Sequence, residues 1–114
     1  MELSVRPEKD VTVVVVRGSV DGLTADQLLA SLSSEVEQGR SRLVVDCGEL
    51  DYTSSAGLRA LLGSVKQARA RGGDLRLAAV QGPVLRVLEL SGFTSILKDY
   101  PDVGAAVASY SAAA

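Results

Sequence analysis

Histidine and tryptophan are absent from this 114-residue chain, and cysteine occurs once. Without histidine there is no His-based catalytic triad, no imidazole metal ligand and no histidine phosphotransfer. The lone Cys47 excludes an intrachain disulfide and a multi-cysteine zinc site, and such sparing use fits a reducing cytoplasm. Cys47 follows a valine-rich run and reads as a small core residue rather than a reactive thiol. Aromatics make up only 4% of the chain, so Val, Leu and Ala must fill the interior. No phosphate-cradling Gly-x-x-x-x-Gly-Lys-Ser/Thr loop or dinucleotide-binding Gly-x-Gly-x-x-Gly occurs. No cofactor is expected.

Long apolar runs are missing too. Val11-Thr12-Val13-Val14-Val15-Val16 falls far short of the about 20 residues that span a bilayer. The first residues lack a cationic stretch followed by an apolar signal core. Both observations argue against secretion and membrane insertion. Net charge is −2, with no basic excess to condense on nucleic acid. Direct nucleic-acid binding is not expected.

What is present is a chain 46% hydrophobic and 23% charged, fit for one globular domain over residues 1–114. Leu3 to Arg6 alternates as a short strand, and Pro7 to Asp10 reads as a turn. Val11 to Arg17 is apolar on both faces, hence a central or covered strand, and Gly18 to Leu23 reads as a loop. Thr24 opens a helix in a capping-box pattern with Gln27. Leu28, Leu29, Leu32 and Val36 form its stripe, and Gly39 stops it.

Arg42 to Cys47 is the next strand. A helix then runs from about Ser55 to Arg71, with Leu58, Leu61, Leu62 and Val65 on one face, and Gly72-Gly73 ends it. Leu75 to Val80 is a strand. Pro83 suits a first helical turn, with Val84, Val87 and Leu88 inward and Gly92 as the stop. Ser95 to Leu97 is expected as a short strand, and Val103, Ala106, Val107 and Tyr110 mark a final helix. Residues from about 111 to 114 are expected to fray. Strands alternating with helices predict an α/β domain with substantial parallel pairing.

The most informative stretch is Thr53-Ser54-Ser55-Ala56-Gly57-Leu58. It sets hydroxyls where a strand hands over to a helix N-terminus, an end with unpaired N–H groups and the positive pole of the helix dipole. Such an end can hold a phosphate, and it can equally be capped by Ser54 or Ser55 for about 1 kcal/mol. Asp21 and Thr24 precede the first helix and read as turn and cap residues. Gly57, costly in a first turn, implies close approach of a backbone from this domain or a partner. Arg59, Lys66, Arg69 and Arg71 read as a solvated basic face, with a docking patch as the alternative. Asp46, Glu49 and Asp51 read as exposed loop acids, with a divalent-cation site as the alternative.

These residues resemble the signature of the STAS domain, the sulfate transporter and anti-sigma factor antagonist domain. Its better-known switch sequence is Asp-Ser-Ser/Thr-Gly-Leu. Anchored on Gly57-Leu58, the family's phosphorylated serine falls on Ser55, and its preceding acid falls on Ser54. Arg17 to Ala25 is similar to the Gly-x-hydrophobic-Asp-x-x-Thr-Ala segment of bacterial anti-anti-sigma factors. Leu43 to Asp46, Gly72 to Leu77 and Leu88 to Phe93 follow in the expected order.

The resemblance implies a STAS fold: a mixed sheet of four or five strands with helices largely on one side. It implies a non-enzymatic, cytoplasmic anti-sigma factor antagonist that binds an anti-sigma factor/serine protein kinase and so releases a sigma factor. Phosphorylation at Ser55 would switch it off, with a phosphatase as a further partner. Asp21, Thr24, Thr53, Ser54, Ser55 and Gly57 would form the partner surface. With Ser54 in the acidic position, the alternative is a constitutive adaptor in a lipid-transport or signalling complex, not phosphorylated. An enzyme or small-molecule binder is the third class.

Overall fold

The computed structural model describes residues 1–111. Five strands form one sheet in the order β1-β2-β3-β4-β5: β1 Glu2–Glu8, β2 Val11–Val20, β3 Arg42–Thr53, β4 Asp74–Ala78 and β5 Asp99–Tyr100. β1 pairs antiparallel with β2, and the other pairings are parallel. The helices are α1 Ala25–Glu37, α2 Ser55–Ala70, α3 Gly82–Leu90 and α4 Val103–Ser111. The architecture is α/β, a five-stranded mixed sheet with α1, α2 and α3 packed on one face and α4 on the other.

Two apolar clusters divide along the sheet, because successive strand residues point to opposite faces. Val14, Val16, Val45 and Leu77 pack beneath the stripes of α1, α2 and α3. Val11, Val13, Val15 and Val44 face α4 through Ala106, Val107 and Tyr110. The valine run of β2 is therefore buried on both sides, as its continuous hydrophobicity predicts. Leu28, Leu32 and Val36 are buried along α1, with Leu29 only partly so. Gly39 closes that helix with φ +90, a backbone conformation that a side chain disfavours.

Several boundaries differ from the sequence reading. Pro7 and Glu8 belong to β1, and the turn is confined to Lys9 and Asp10. Proline is tolerated there because β1 is an edge strand. β2 runs on through Gly18, Ser19 and Val20. Register shifts at Val15/Arg17 and Gly18/Ser19 absorb the left-handed Gly18 at φ +88. β3 continues to Thr53, so Asp46, Glu49 and Asp51 stand on a strand rather than a loop. Asp46 accepts from the Gly48 N–H, and Glu49 pairs with Arg17 at 2.8 Å. Among the described residues, no group of three or more acids, histidines and cysteines is placed to hold a metal ion.

β4 is Asp74–Ala78, one residue earlier at its start and two shorter at its end than read. The strand expected at Ser95 to Leu97 is displaced: Phe93–Ser95 is a 3-10 turn, and the strand is Asp99–Tyr100. Ser111 belongs to α4, and residues 112–114 of the expected frayed tail lie outside the described residues. Cys47 is buried, and burial, aided by the charge of Asp46, pushes its thiol up to about 12. Among the described residues, no helix is long and apolar enough to cross a membrane.

Candidate functional site

β2 and β3 run parallel, and each is followed by a helix. Both helices therefore begin at the same edge of the sheet, where strand carboxyl ends and helix amino ends meet. Val20 and Thr53 are register partners at that edge, and the Ser54 N–H donates to the Val20 carbonyl at 2.8 Å. The loop after Val20 is thereby fixed beside the start of α2.

Ser54 is the N-cap of α2, extended at φ −82 and ψ 172. Its hydroxyl accepts from the Gly57 N–H at 3.2 Å, and its carbonyl accepts from the Leu58 N–H at 3.1 Å. Capping thus falls to Ser54, and Ser55 is the first helical residue. Ser55 is exposed, and its hydroxyl makes no hydrogen bond among the described residues. Thr53 is buried, and its hydroxyl donates to the Ser54 carbonyl at 3.2 Å.

Gly57 is buried against its own domain. A Cβ there would collide with Thr53 Oγ1 and stand 2.9 Å from Val20 Cγ1. The close approach expected at this glycine is therefore to two side chains rather than to a backbone. It lets the first turn of α2 settle onto the ends of β2 and β3.

The Asp21 loop is stiffened by a reciprocal pair. Asp21 Oδ1 accepts from the N–H groups of Leu23 and Thr24 at 2.9 Å and from the Thr24 hydroxyl at 3.0 Å. Thr24 Oγ1 accepts from the Asp21 N–H at 2.9 Å. The Asp21 carbonyl accepts from the Ala25 N–H, a helical bond. The capping box is thus Asp21 with Thr24, one turn before the expected Thr24 with Gln27, and the Thr24 side chain caps nothing in α1 itself. Hydrogen bonds from the Thr24 N–H and hydroxyl hold the Asp21 carboxyl below its usual value of 3.8.

All six expected site residues therefore converge on one edge, with divided labour. Thr53, Ser54, Gly57, Asp21 and Thr24 build the platform, and Ser55 carries the uncommitted hydroxyl. Beside it, Ala25, Asp26 and Leu29 of α1 and Ala56, Arg59 and Ala60 of α2 line a shallow cleft. Arg59, Lys66 and Arg71 are exposed, as a solvated face requires. Arg69 instead turns onto Asp74 at 2.9 Å and onto the Ile96 carbonyl at 3.0 Å.

Sequence reasoning missed two exposed apolar side chains at this edge, Leu23 and Tyr52, which are 86% and 54% exposed. Their signal was apolarity outside any buried periodicity. It also missed the network that docks α4. Asp74 is buried and pairs with Arg69 and Arg76, Arg76 donates to Ser109, and its guanidinium lies 4.0 Å from the centre of the Tyr110 ring. The Tyr110 hydroxyl lies 2.7 Å from the Leu43 carbonyl and 2.8 Å from that of Asp74, sharing one proton between them.

Comparison with known proteins agrees with this fold. The family description "STAS domain" matches residues 2–106. BtrV of Bordetella bronchiseptica, provisionally named an anti-sigma factor antagonist, is 41% identical over 96 residues, covering 84% of this chain and 83% of its own. The anti-sigma-B factor antagonist of Listeria monocytogenes is 30% identical over 87 residues, covering 75% of each. The crystal structure of an anti-sigma factor antagonist from Mycobacterium paratuberculosis superposes with a TM-score of 0.85 at 25% identity, covering 95% of this chain and 92% of that one.

Proposed function

The chain belongs to the STAS domain family, and from that premise we propose that it is a phosphorylation-switched anti-sigma factor antagonist. It binds an anti-sigma factor that is also a serine kinase, and so frees a sigma factor in the cytoplasm. Asp21, Thr24, Thr53, Ser54, Ser55 and Gly57 form or support the docking surface. The kinase transfers a phosphate to Ser55 and ends the association, and a phosphatase restores it. The chain itself performs no catalysis.

One observation carries this reading. At the shared edge of β2 and β3, Ser54 is spent on the cap while the neighbouring Ser55 hydroxyl is exposed and uncommitted. The names of the relatives support the class of partner. The physics is local. Phosphoserine adds about −1.5 to −2 charges, which the first turn of α2 tolerates within the domain. A partner already seated on that edge meets a bulky dianion, and a loss of about 3 kcal/mol weakens binding over a hundredfold.

The test is incubation with the cognate kinase and ATP, followed by peptide mapping and affinity capture. One phosphate on Ser55 is expected, with Ser55→Ala unmodified and constitutively bound. A phosphate on Thr53 or Ser54 would sink the assignment of the switch residue. No phosphate at all would favour the second reading, a constitutive adaptor in a lipid-transport or signalling complex. Ser54 in the acidic position of the family motif is the feature that favours that reading.

A further inference from the structure

We propose that Arg59 is the internal partner of a phosphate on Ser55, a role that rests on Ser55 being the modified residue. The two stand four residues apart on α2, on the same helical face, where Cβ atoms are separated by about 5–6 Å. Arg59 lines the cleft between α1 and α2, and because helical side chains lean toward the N-terminus its long side chain is within reach of the turn that begins with Ser55. Both residues are exposed, and both are free. Among the described residues Arg59 enters no ion pair, although Arg6, Arg17, Arg40, Arg42, Arg69 and Arg76 all do. Asp26, across the cleft on α1, lines the same space without bonding to it.

A guanidinium in this position is suited to a phosphate in a way that a lysine is not. Its planar fork presents two N–H groups to two phosphate oxygens at once. Two acids, Asp21 on the loop and Asp26 on α1, flank the start of the helices, so an added dianion meets like charge there. Arg59 is the cation placed to offset it. The pairing also carries the modification sideways. Once Arg59 turns to the phosphate, the cleft between α1 and α2 loses its only lining cation and keeps Asp26. Phosphorylation then alters two surfaces, the edge at Ser55 and the cleft beside it.

The test installs phosphoserine at position 55 by genetic encoding, so that it does not depend on any kinase. The second ionisation of the phosphate, ordinarily near about 6, is followed by phosphorus NMR in the otherwise unaltered chain and in Arg59→Gln, Arg59→Lys and Arg71→Gln. Arg59→Gln is expected to raise it by about 0.2–0.4, with Arg59→Lys between the two. Arg71→Gln removes an exposed charge at the far end of α2 and is expected to leave it in place. The Arg59 Nε–H resonance is expected to shift only in the phosphorylated chain. Identical titrations for Arg59→Gln and the unaltered chain would overturn the proposal. So would an equal displacement by Arg71→Gln, which would mark a general charge effect. If the kinase fails to modify Ser55 while these titrations separate as expected, the switch is lost and the pairing stands.

Discussion

Asp21 and Thr24 each accept a hydrogen bond from the other's main-chain N–H, at 2.9 Å in both directions. The loop beside Ser55 is thereby closed on itself before any partner arrives. Its order depends on the Asp21 carboxylate, whose ordinary value of 3.8 is lowered by the bonds from Thr24. The folded chain thus binds that proton less readily than the unfolded one. The contribution to stability is complete above 3.8 and fades as pH falls through the lower, folded value. Asp21→Asn should flatten the acid limb of stability against pH, measured by urea titration between about pH 2 and 5. An unchanged limb would show that the carboxylate is not the acceptor that matters.

Gly57 should resist even the smallest side chain. Alanine favours a helix by about 1 kcal/mol over glycine. The collision with Thr53 and Val20 outweighs it, and Gly57→Ala should lose about 1–3 kcal/mol. Thr53→Ala in the same chain should recover part of that loss, because the nearest obstructing atom is Thr53 Oγ1. A double-mutant cycle without coupling would contradict this packing.

Ser54 and Ser55 should separate stability from regulation. Ser54→Ala removes the cap and should cost about 1 kcal/mol, while Ser55→Ala should leave the denaturation midpoint nearly unchanged. Ser54→Asp should preserve the cap, since aspartate caps as well as serine, and supply the acid of the family motif. Its initial rate of phosphorylation should exceed that of the unaltered chain. Equal midpoints for Ser54→Ala and Ser55→Ala would mean that the cap has been misplaced.

Tyr110 should be the latch of α4. Tyr110→Phe leaves the Leu43 and Asp74 carbonyls without its proton and should cost about 1–3 kcal/mol. Burial pushes the Tyr110 phenol above its ordinary value of 10.0. Its contribution is therefore present below pH 10 and lost as pH rises. An ultraviolet titration should show one phenol that ionises only as the fold gives way.

Cys47 should be inert to an aromatic disulfide reagent at neutral pH, since its thiol is buried and pushed up to about 12. It should react at once in denaturant. Rapid labelling of the native chain would show that β3 opens far more readily than its burial implies.

Most of the frame could be read from periodicity. The unbroken valines of β2 announced a strand covered on both sides, and the stripe Leu28, Leu32, Val36 announced the inner face of α1. Failures gathered where local chemistry competes with pairing. Gly18 and Ser19 look like loop residues, yet a neighbouring strand recruits them through bulges. Asp51 and Tyr52 look exposed because they are, and exposure hid their place in β3. Thr24 seemed a cap because hydroxyls before helices usually are. The aspartate three residues earlier binds its hydroxyl instead. At the site, the family motif singled out Ser55 as the candidate. Only geometry distinguished the capping serine from the free one, since neighbouring serines in a row are chemically identical until a backbone direction is assigned.

Among the described residues, the helix that guards the sheet's second face is α4. Val11, Val13, Val15 and Val44 are shielded by α4, with Tyr100 of β5 packed alongside, and α4 follows every described strand. During synthesis the edge made from β2, α1, β3 and α2 leaves the ribosome before that guardian does. Until α4 docks, an apolar valine wall is left uncovered. Lesions that loosen α4 should therefore be felt as poor yield of folded protein, while the molecules that do mature keep the Ser55 edge intact.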